Sequence, residues 1–111
     1  MDCEFDYRLT ELAESDLDEI AAYIANTLCN RTAAISFLEI FQKKVEEIRL
    51  FPESGAPVEN ELVSFAEVRK KNVGNYILYY IPDMENRIVY ILRIIYGRRN
   101  LQEILQTLNI R

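Results

Sequence analysis

No histidine occurs anywhere in the 111 residues of this chain, which removes the side chain most often used near neutral pH as general base, proton shuttle or metal ligand. Zinc sites and Ser-His-Asp chemistry are disfavoured, no metal or cofactor is expected, and any catalysis would fall to tuned carboxylates, lysine, tyrosine or arginine. Cysteine is scarce as well. Cys3 and Cys29 are too few and too differently placed for a disulfide framework, they form no C-x-x-C pair, and both read as reduced thiols. No apolar run nears the ~20 residues that a membrane span requires. The opening MDCEFDYRL carries acids where a signal peptide carries positive charge, so the expectation is a cytoplasmic protein with no membrane partner. There is no internal repeat and no low-complexity segment.

What is present is a globular composition, 50% hydrophobic and 28% charged, in a chain long enough to bury roughly two thirds of its unfolded surface as one domain spanning residues 1–111. The net charge of −5 is unevenly spread. Residues 1–65 hold five Lys/Arg against fourteen Asp/Glu, a net −9, and residues 66–111 hold eight against four, a net +4. The acidic half reads as solvated helix surface; the basic half can still present a local positive face.

The stretch from Ile88 to Leu108, IVYILRIIYGRRNLQEILQTL, organises the rest. Ile88 to Tyr96 is apolar and β-branched or aromatic except at Arg93, the pattern of a strand covered on both faces near the centre of a sheet. The chain then turns through Gly97, Arg98, Arg99 and Asn100. Leu101, Ile104, Leu105 and Leu108 follow at the i, i+3, i+4, i+7 spacing of an amphipathic helix. Upstream, Phe5 to Leu9 alternates as a short strand. Thr10 is placed to cap a helix whose stripe is Leu17, Ile20, Ala21, Ile24 and Leu28, continued backwards by Ala13, with acids in its first turns. Asn30 is the next N-cap, and the second helix carries Ala34, Phe37, Leu38, Phe41, Val45 and Ile48.

Pro52 ends the second helix, and the segment from Pro52 to Pro57 is turn chemistry. Val58 to Ala66 has no clear period and reads as a loop. Glu67 to Val73 reads as a strand that puts Arg69, Lys70 and Lys71 on alternating faces. Gly74-Asn75 signals a hairpin, Tyr76 to Ile81 the middle strand, and Pro82 to Asn86 the next turn. The resulting order is β-α-α-β-β-β-α, an α+β fold with a helical hairpin packed on a mainly antiparallel sheet and a C-terminal helix.

That order, with specific residues, resembles the RelE/ParE superfamily of toxins from bacterial type II toxin–antitoxin modules. The matching features are Tyr7-Arg8-Leu9, Ala13, Asp16-Leu17-Asp18-Glu19-Ile20 and Tyr23-Ile24; Ala34, Phe37-Leu38, Phe51-Pro52 and Gly55; then Arg69, Asn75-Tyr76-Ile77-Leu78-Tyr79, Ile91-Leu92-Arg93-Ile94 and Gly97-Arg98-Arg99. They run almost the whole chain. The resemblance implies a growth inhibitor neutralised by a cognate antitoxin, existing as a homodimer or as a heterotetramer with that antitoxin.

Two branches of the superfamily imply different chemistry. The ribosome-dependent nuclease branch, metal-independent endoribonucleases acting on mRNA, implies an arginine directly after the aromatic that opens the middle strand, and a tyrosine in the final helix or a histidine by the last strand. Ile77 and Leu105 stand at those places, and histidine is absent. In that branch Arg69, Lys70, Lys71, Arg93, Tyr96 and Arg99 would have to carry the reaction. The sequence is more similar to the ParE-like branch, whose members inhibit DNA gyrase by binding. Arg69, Arg93, Arg98 and Arg99 would then meet the target, and Leu101, Ile104, Leu105 and Leu108 would meet the antitoxin. A diverged, non-toxic relative is the third reading. Each residue also has a plainer reading: Arg93 pairing with a carboxylate of the first helix, the triplet at Arg69 to Lys71 protecting an edge strand, and the tyrosines packing the sheet.

Overall fold

Period-two alternation and helical stripes become real elements in a computed structural model that describes residues 4–58 and 67–97. The expected C-terminal helix with Leu101, Ile104, Leu105 and Leu108, the turn arginines Arg98 and Arg99, and most of the loop after Val58 lie outside the described residues. Strand β1 (Asp6–Leu9) leads into helix α1 (Glu11–Ala22), which continues as a π-helical turn over Tyr23–Thr27; helix α2 (Arg31–Leu50) follows. Then come β2 (Ala56–Pro57), β3 (Arg69–Val73), β4 (Tyr76–Asp83) and β5 (Ile88–Tyr96). The strands form one sheet in the order β1-β5-β4-β3-β2. β1 runs parallel to β5, and every other pair is antiparallel.

The sequence expectation of α+β with a helical hairpin on a mainly antiparallel sheet holds across these residues. Strand β2 is an addition. Ala56 and Pro57 pair with Lys70 and Arg69, where the sequence reads only turn, because two residues are too few to show alternation. An edge is also where a strand proline, with no N–H to give, is tolerated. The middle strand runs two residues beyond Ile81, to Asp83, since Pro82 pairs with Val89.

Both helix caps form as expected: Thr10 Oγ1 accepts from the Ala13 N–H at 3.1 Å, and Asn30 Oδ1 accepts from the Ala33 N–H at 2.9 Å. The α2 stripe buries Ala34, Phe37, Phe41, Val45 and Ile48, while Leu38 stays 39% exposed. With Ala13 and, less deeply, Leu17, Ile20 and Ile24, this face packs on Val73, Leu78, Tyr80, Val89, Ile91 and Ile94 of the sheet. Leu28 departs from its expected place and is 54% exposed. The π turn explains it. Leu28 N–H reaches the Tyr23 carbonyl at 3.1 Å, five residues back, so one extra residue enters the turn and rotates Leu28 off the 3.6-residue stripe.

The opposite face of the sheet carries a second apolar cluster of Val68, Tyr79, Leu92 and Ile95, with Val58, Ile77 and Ile81 at its margin. Strands β4 and β5 are therefore apolar on both sides, as their unbroken runs require. Register slips once between them: Tyr79 opposes Arg93 but Tyr80 opposes Ile91, leaving Leu92 over as a bulge on β5.

Candidate functional site

Arg93 follows the bulge and stands opposite Tyr79. It lies beyond the last β1 partner of β5, since β1 ends with Leu9 opposite Ile91. From there α1 takes over the edge of β5 through side chains. Thr10 Oγ1 donates to the Leu92 carbonyl at 2.9 Å, and Asp16 Oδ2 accepts from the Ile94 N–H at 3.1 Å. The same carboxylate takes Arg93 in a fork, Nε to Oδ2 at 2.7 Å and Nη2 to Oδ1 at 3.0 Å. Both side chains are mostly buried, 11% and 13% exposed. A two-point, largely desolvated pair of this kind is the strong form of an ion pair, and the Asp16 hydrogen bond raises the guanidinium's proton affinity.

Alternation splits the β3 cations as expected. Arg69 opposes Tyr80, Lys70 opposes Tyr79 and Lys71 opposes Leu78, so Arg69 and Lys71 share the helix-covered face and Lys70 the other. Arg69 clamps the turn after α2: its guanidinium donates to the Gly55 carbonyl at 2.8 Å and the Glu53 carbonyl at 3.1 Å, and meets Glu67 at 2.7 Å. Lys71 Nζ donates to Ser54 Oγ at 2.7 Å and pairs with Glu47 at 3.0 Å. That hydrogen bond holds the Glu47 carboxyl below its ordinary range. Tyr80 completes the latch from beneath. Its buried hydroxyl donates to the Pro52 carbonyl at 2.7 Å and accepts from the Gly55 N–H at 2.9 Å, and burial pushes its pKa up. A Cβ on Gly55 would lie 2.6 Å from that hydroxyl and 2.7 Å from the Lys70 carbonyl, so the turn admits no side chain there.

Tyr96 sits elsewhere, at the end of β5. Its ring meets Tyr76 edge-on with centroids 5.7 Å apart, and Tyr76 meets Phe37 likewise at 5.3 Å. Together with Tyr23 of the π turn, Tyr76 and Tyr96 line two adjoining clefts of about 180 and 530 Å³ between α1 and the β4–β5 ribbon. Burial raises the Tyr76 pKa, and the neighbouring Tyr23 and Tyr96 add to it.

Among the described residues, the candidates named from sequence are thus not gathered into one centre. Arg69 and Lys71 serve the α2 turn, Arg93 serves the α1–β5 junction, Tyr96 lines a separate cleft, and Lys70 stands exposed on the far face without an ion-pair partner among the described residues. Sequence reading missed which carboxylates pair with them, Asp16 and Glu47, and the roles of Tyr80 and Tyr23. Asp16 carried a usable signal, an acid on the otherwise core-facing side of α1 one residue before Leu17. Tyr23 carried none, because its orientation follows from the π turn.

The chain matches the family described as the ParE toxin of the type II toxin–antitoxin system, parDE, over residues 7–101. No curated protein matches it by sequence. Among solved structures it is similar to the chromosomal ParDE toxin–antitoxin system from P. aeruginosa, at 19% identity over 84% of this chain and 96% of that one, with a TM-score of 0.65. It is also similar to the RelBE2 toxin–antitoxin complex from Mycobacterium tuberculosis, at 24% identity over 84% of this chain and 98% of that one, with a TM-score of 0.57. A third is the archaeal RelE–RelB complex from Pyrococcus horikoshii, at 11% identity over 87% and 99%, with a TM-score of 0.62. At these identities the structures establish a shared fold.

Proposed function

Because the chain belongs to the ParE toxin family of type II toxin–antitoxin systems, we propose that it arrests growth by binding DNA gyrase, without cutting RNA, and that a cognate antitoxin holds it inactive in the cytoplasm. The observation that carries this reading is the state of the sheet cations. Cleaving RNA at its 2′-hydroxyl needs a proton acceptor, a proton donor and a cation cluster converging on one phosphate. Here Arg69, Lys71 and Arg93 are tied into ion pairs at separate places, and the position after Tyr76 is Ile77, packed against the far-face apolar cluster.

On this reading the target meets Lys70 and the arginines that follow β5, Arg98 and Arg99, while Arg69 and Arg93 hold the sheet in the shape that presents them. The antitoxin covers the apolar row Leu101, Ile104, Leu105 and Leu108 and the exposed apolar residues of the hairpin, Ile35 and Leu38 among them. The solved relatives named above include toxin–antitoxin complexes, which supports such a partner.

Inducible expression of the chain alone, with and without its genomic neighbour, tests the proposal. Growth arrest with a DNA-damage response and gyrase-trapped breaks, relieved by the neighbour, is the expected result. Arrest of translation first, with messages cut at the ribosome, would assign the chain to the nuclease reading instead; no growth effect would mark a non-toxic relative.

A further inference from the structure

The latch after α2 includes a hydroxyl nucleophile that the toxin reading does not use. Of the described serines, Ser15 and Ser36 lie within helices, and Ser54 stands in a turn, exposed, between Pro52 and Pro57. Two cations of β3 converge on it. Lys71 Nζ donates to Ser54 Oγ at 2.7 Å, and the Arg69 guanidinium brackets the serine, donating to the Glu53 and Gly55 carbonyls on either side. Each of the two side chains is only 15% exposed, so both are held in place before any anion arrives. Lys71 has a second partner as well: Glu47 of α2 lies 3.0 Å from the same ammonium. The Ser54 hydroxyl and the Glu47 carboxylate thus share one cation, and a change of charge at the serine alters what is left for the glutamate.

We propose that Ser54 is a regulatory phosphorylation site whose phosphate draws Lys71 away from Glu47, exchanging a link between α2 and β3 for one between the turn and β3. The donor is a nucleoside triphosphate delivered by a partner serine kinase. The bond from Ser54 Oγ to phosphorus forms, the bond from that phosphorus to the nucleoside diphosphate breaks, and the hydroxyl proton passes to a base of the kinase. A phosphoserine carries about −1.5 to −2 charge at neutral pH and three strong acceptor oxygens, against a single charge on Glu47, so it is the stronger claimant on Lys71. Arg69 adds planar donors beside it. The groups that oppose the phosphate are Glu53 and Glu67, both on Arg69, and Glu47, which Lys71 and, less strongly, Lys44 hold in its charged form. Tyr80 beneath the turn stays neutral, its pKa pushed up by burial. Like-charge repulsion between the phosphate and Glu47 separates the two anions and leaves Lys71 with the phosphate. The identity of the growth target does not enter this inference, so the site can fail while gyrase inhibition stands, and the reverse.

The test has two arms, both on the full-length chain. Incubated with ATP and a soluble extract of the cells that encode it, the chain should gain a phosphate that mass spectrometry places on Ser54 and that Ser54→Ala does not acquire. In the second arm phosphoserine is installed at position 54 by codon reassignment and titrated by phosphorus NMR. Its second pKa should lie about 0.5 or more below the ordinary ~6. Lys71→Met, which keeps the apolar stem, should return it to the ordinary value, and Glu47→Gln should lower it further by removing the rival charge. The two variants move the phosphate in opposite directions, which a common loss of folding does not do. Phosphate on another residue or on none, or a phosphate pKa at the ordinary value that Lys71→Met leaves unmoved, would overturn the proposal.

Discussion

Single residues here act chiefly by satisfying backbone that the strands leave open. Asp16 is the clearest case, since one carboxylate closes the β5 edge at Ile94 and holds the Arg93 fork. Asp16→Ala would remove the fork from a mostly buried guanidinium and leave the Ile94 N–H without its acceptor, and a loss of about 2–4 kcal/mol in urea unfolding is expected. Asp16→Asn, which keeps one acceptor, should lose less. Tyr80→Phe leaves the Pro52 carbonyl and Gly55 N–H without their hydroxyl, and should cost about 1–3 kcal/mol. Gly55→Ala should cost a similar amount by overpacking; thermal melts of the two variants check both figures. The sequence showed Arg93 as a lone charge in an apolar strand and allowed a carboxylate of the first helix as its partner. Asp16 stands out among those acids only by its place on the core-facing side of α1, and the bulge at Leu92, which sets Arg93 opposite Tyr79, has no signature in an unbroken apolar run.

At the scale of elements, the second helix and the sheet are joined by a pair that acid should weaken. The Lys71 ammonium holds Glu47 below the ordinary carboxylate range, so the pair's contribution is present above the unfolded carboxyl pKa and is lost as pH falls through the depressed folded value. Glu47 is partly exposed to solvent, which keeps the effect small. The gap in urea midpoint between the wild type and Glu47→Gln should therefore close on acidification through that window; a gap unchanged with pH would count against the pair. Helix starts were legible because Thr10 and Asn30 are capping side chains whose bonds form as expected. The π turn was not, since a stripe continued to Leu28 fits an α-helix equally well on paper. Strand β2 was hidden for a different reason: its pairing partners lie more than ten residues downstream and its two residues carry no period.

For the molecule as a whole, the order of elements through β5, β2 apart, could be read from caps, stripes and turn residues, and the continuous apolar run of β5 placed it inside the sheet. Function was less legible than fold, because a cation in a sequence does not show whether it is spent on a neighbouring carboxylate or left for a partner. Arg69 and Lys71 read as candidates for chemistry, and folding commits both to the turn that follows α2. Lys70 differs from them by one residue and by the face it occupies. Lys70→Ala should leave stability within about 0.5 kcal/mol, as a surface change, while reducing growth inhibition; Arg69→Ala should lower stability and toxicity together. Dose–response growth curves beside thermal melts separate the two.

The central claim is that this fold acts on gyrase by binding. The most direct measurement is DNA supercoiling by purified gyrase in the presence of the purified chain, with cleaved DNA complexes assayed alongside and purified ribosomes carrying a message as the parallel arm. The account predicts that supercoiling falls and cleaved complexes accumulate as the chain is added, while the message stays whole. Gyrase working at its full rate while the ribosome-bound message is cut would contradict it.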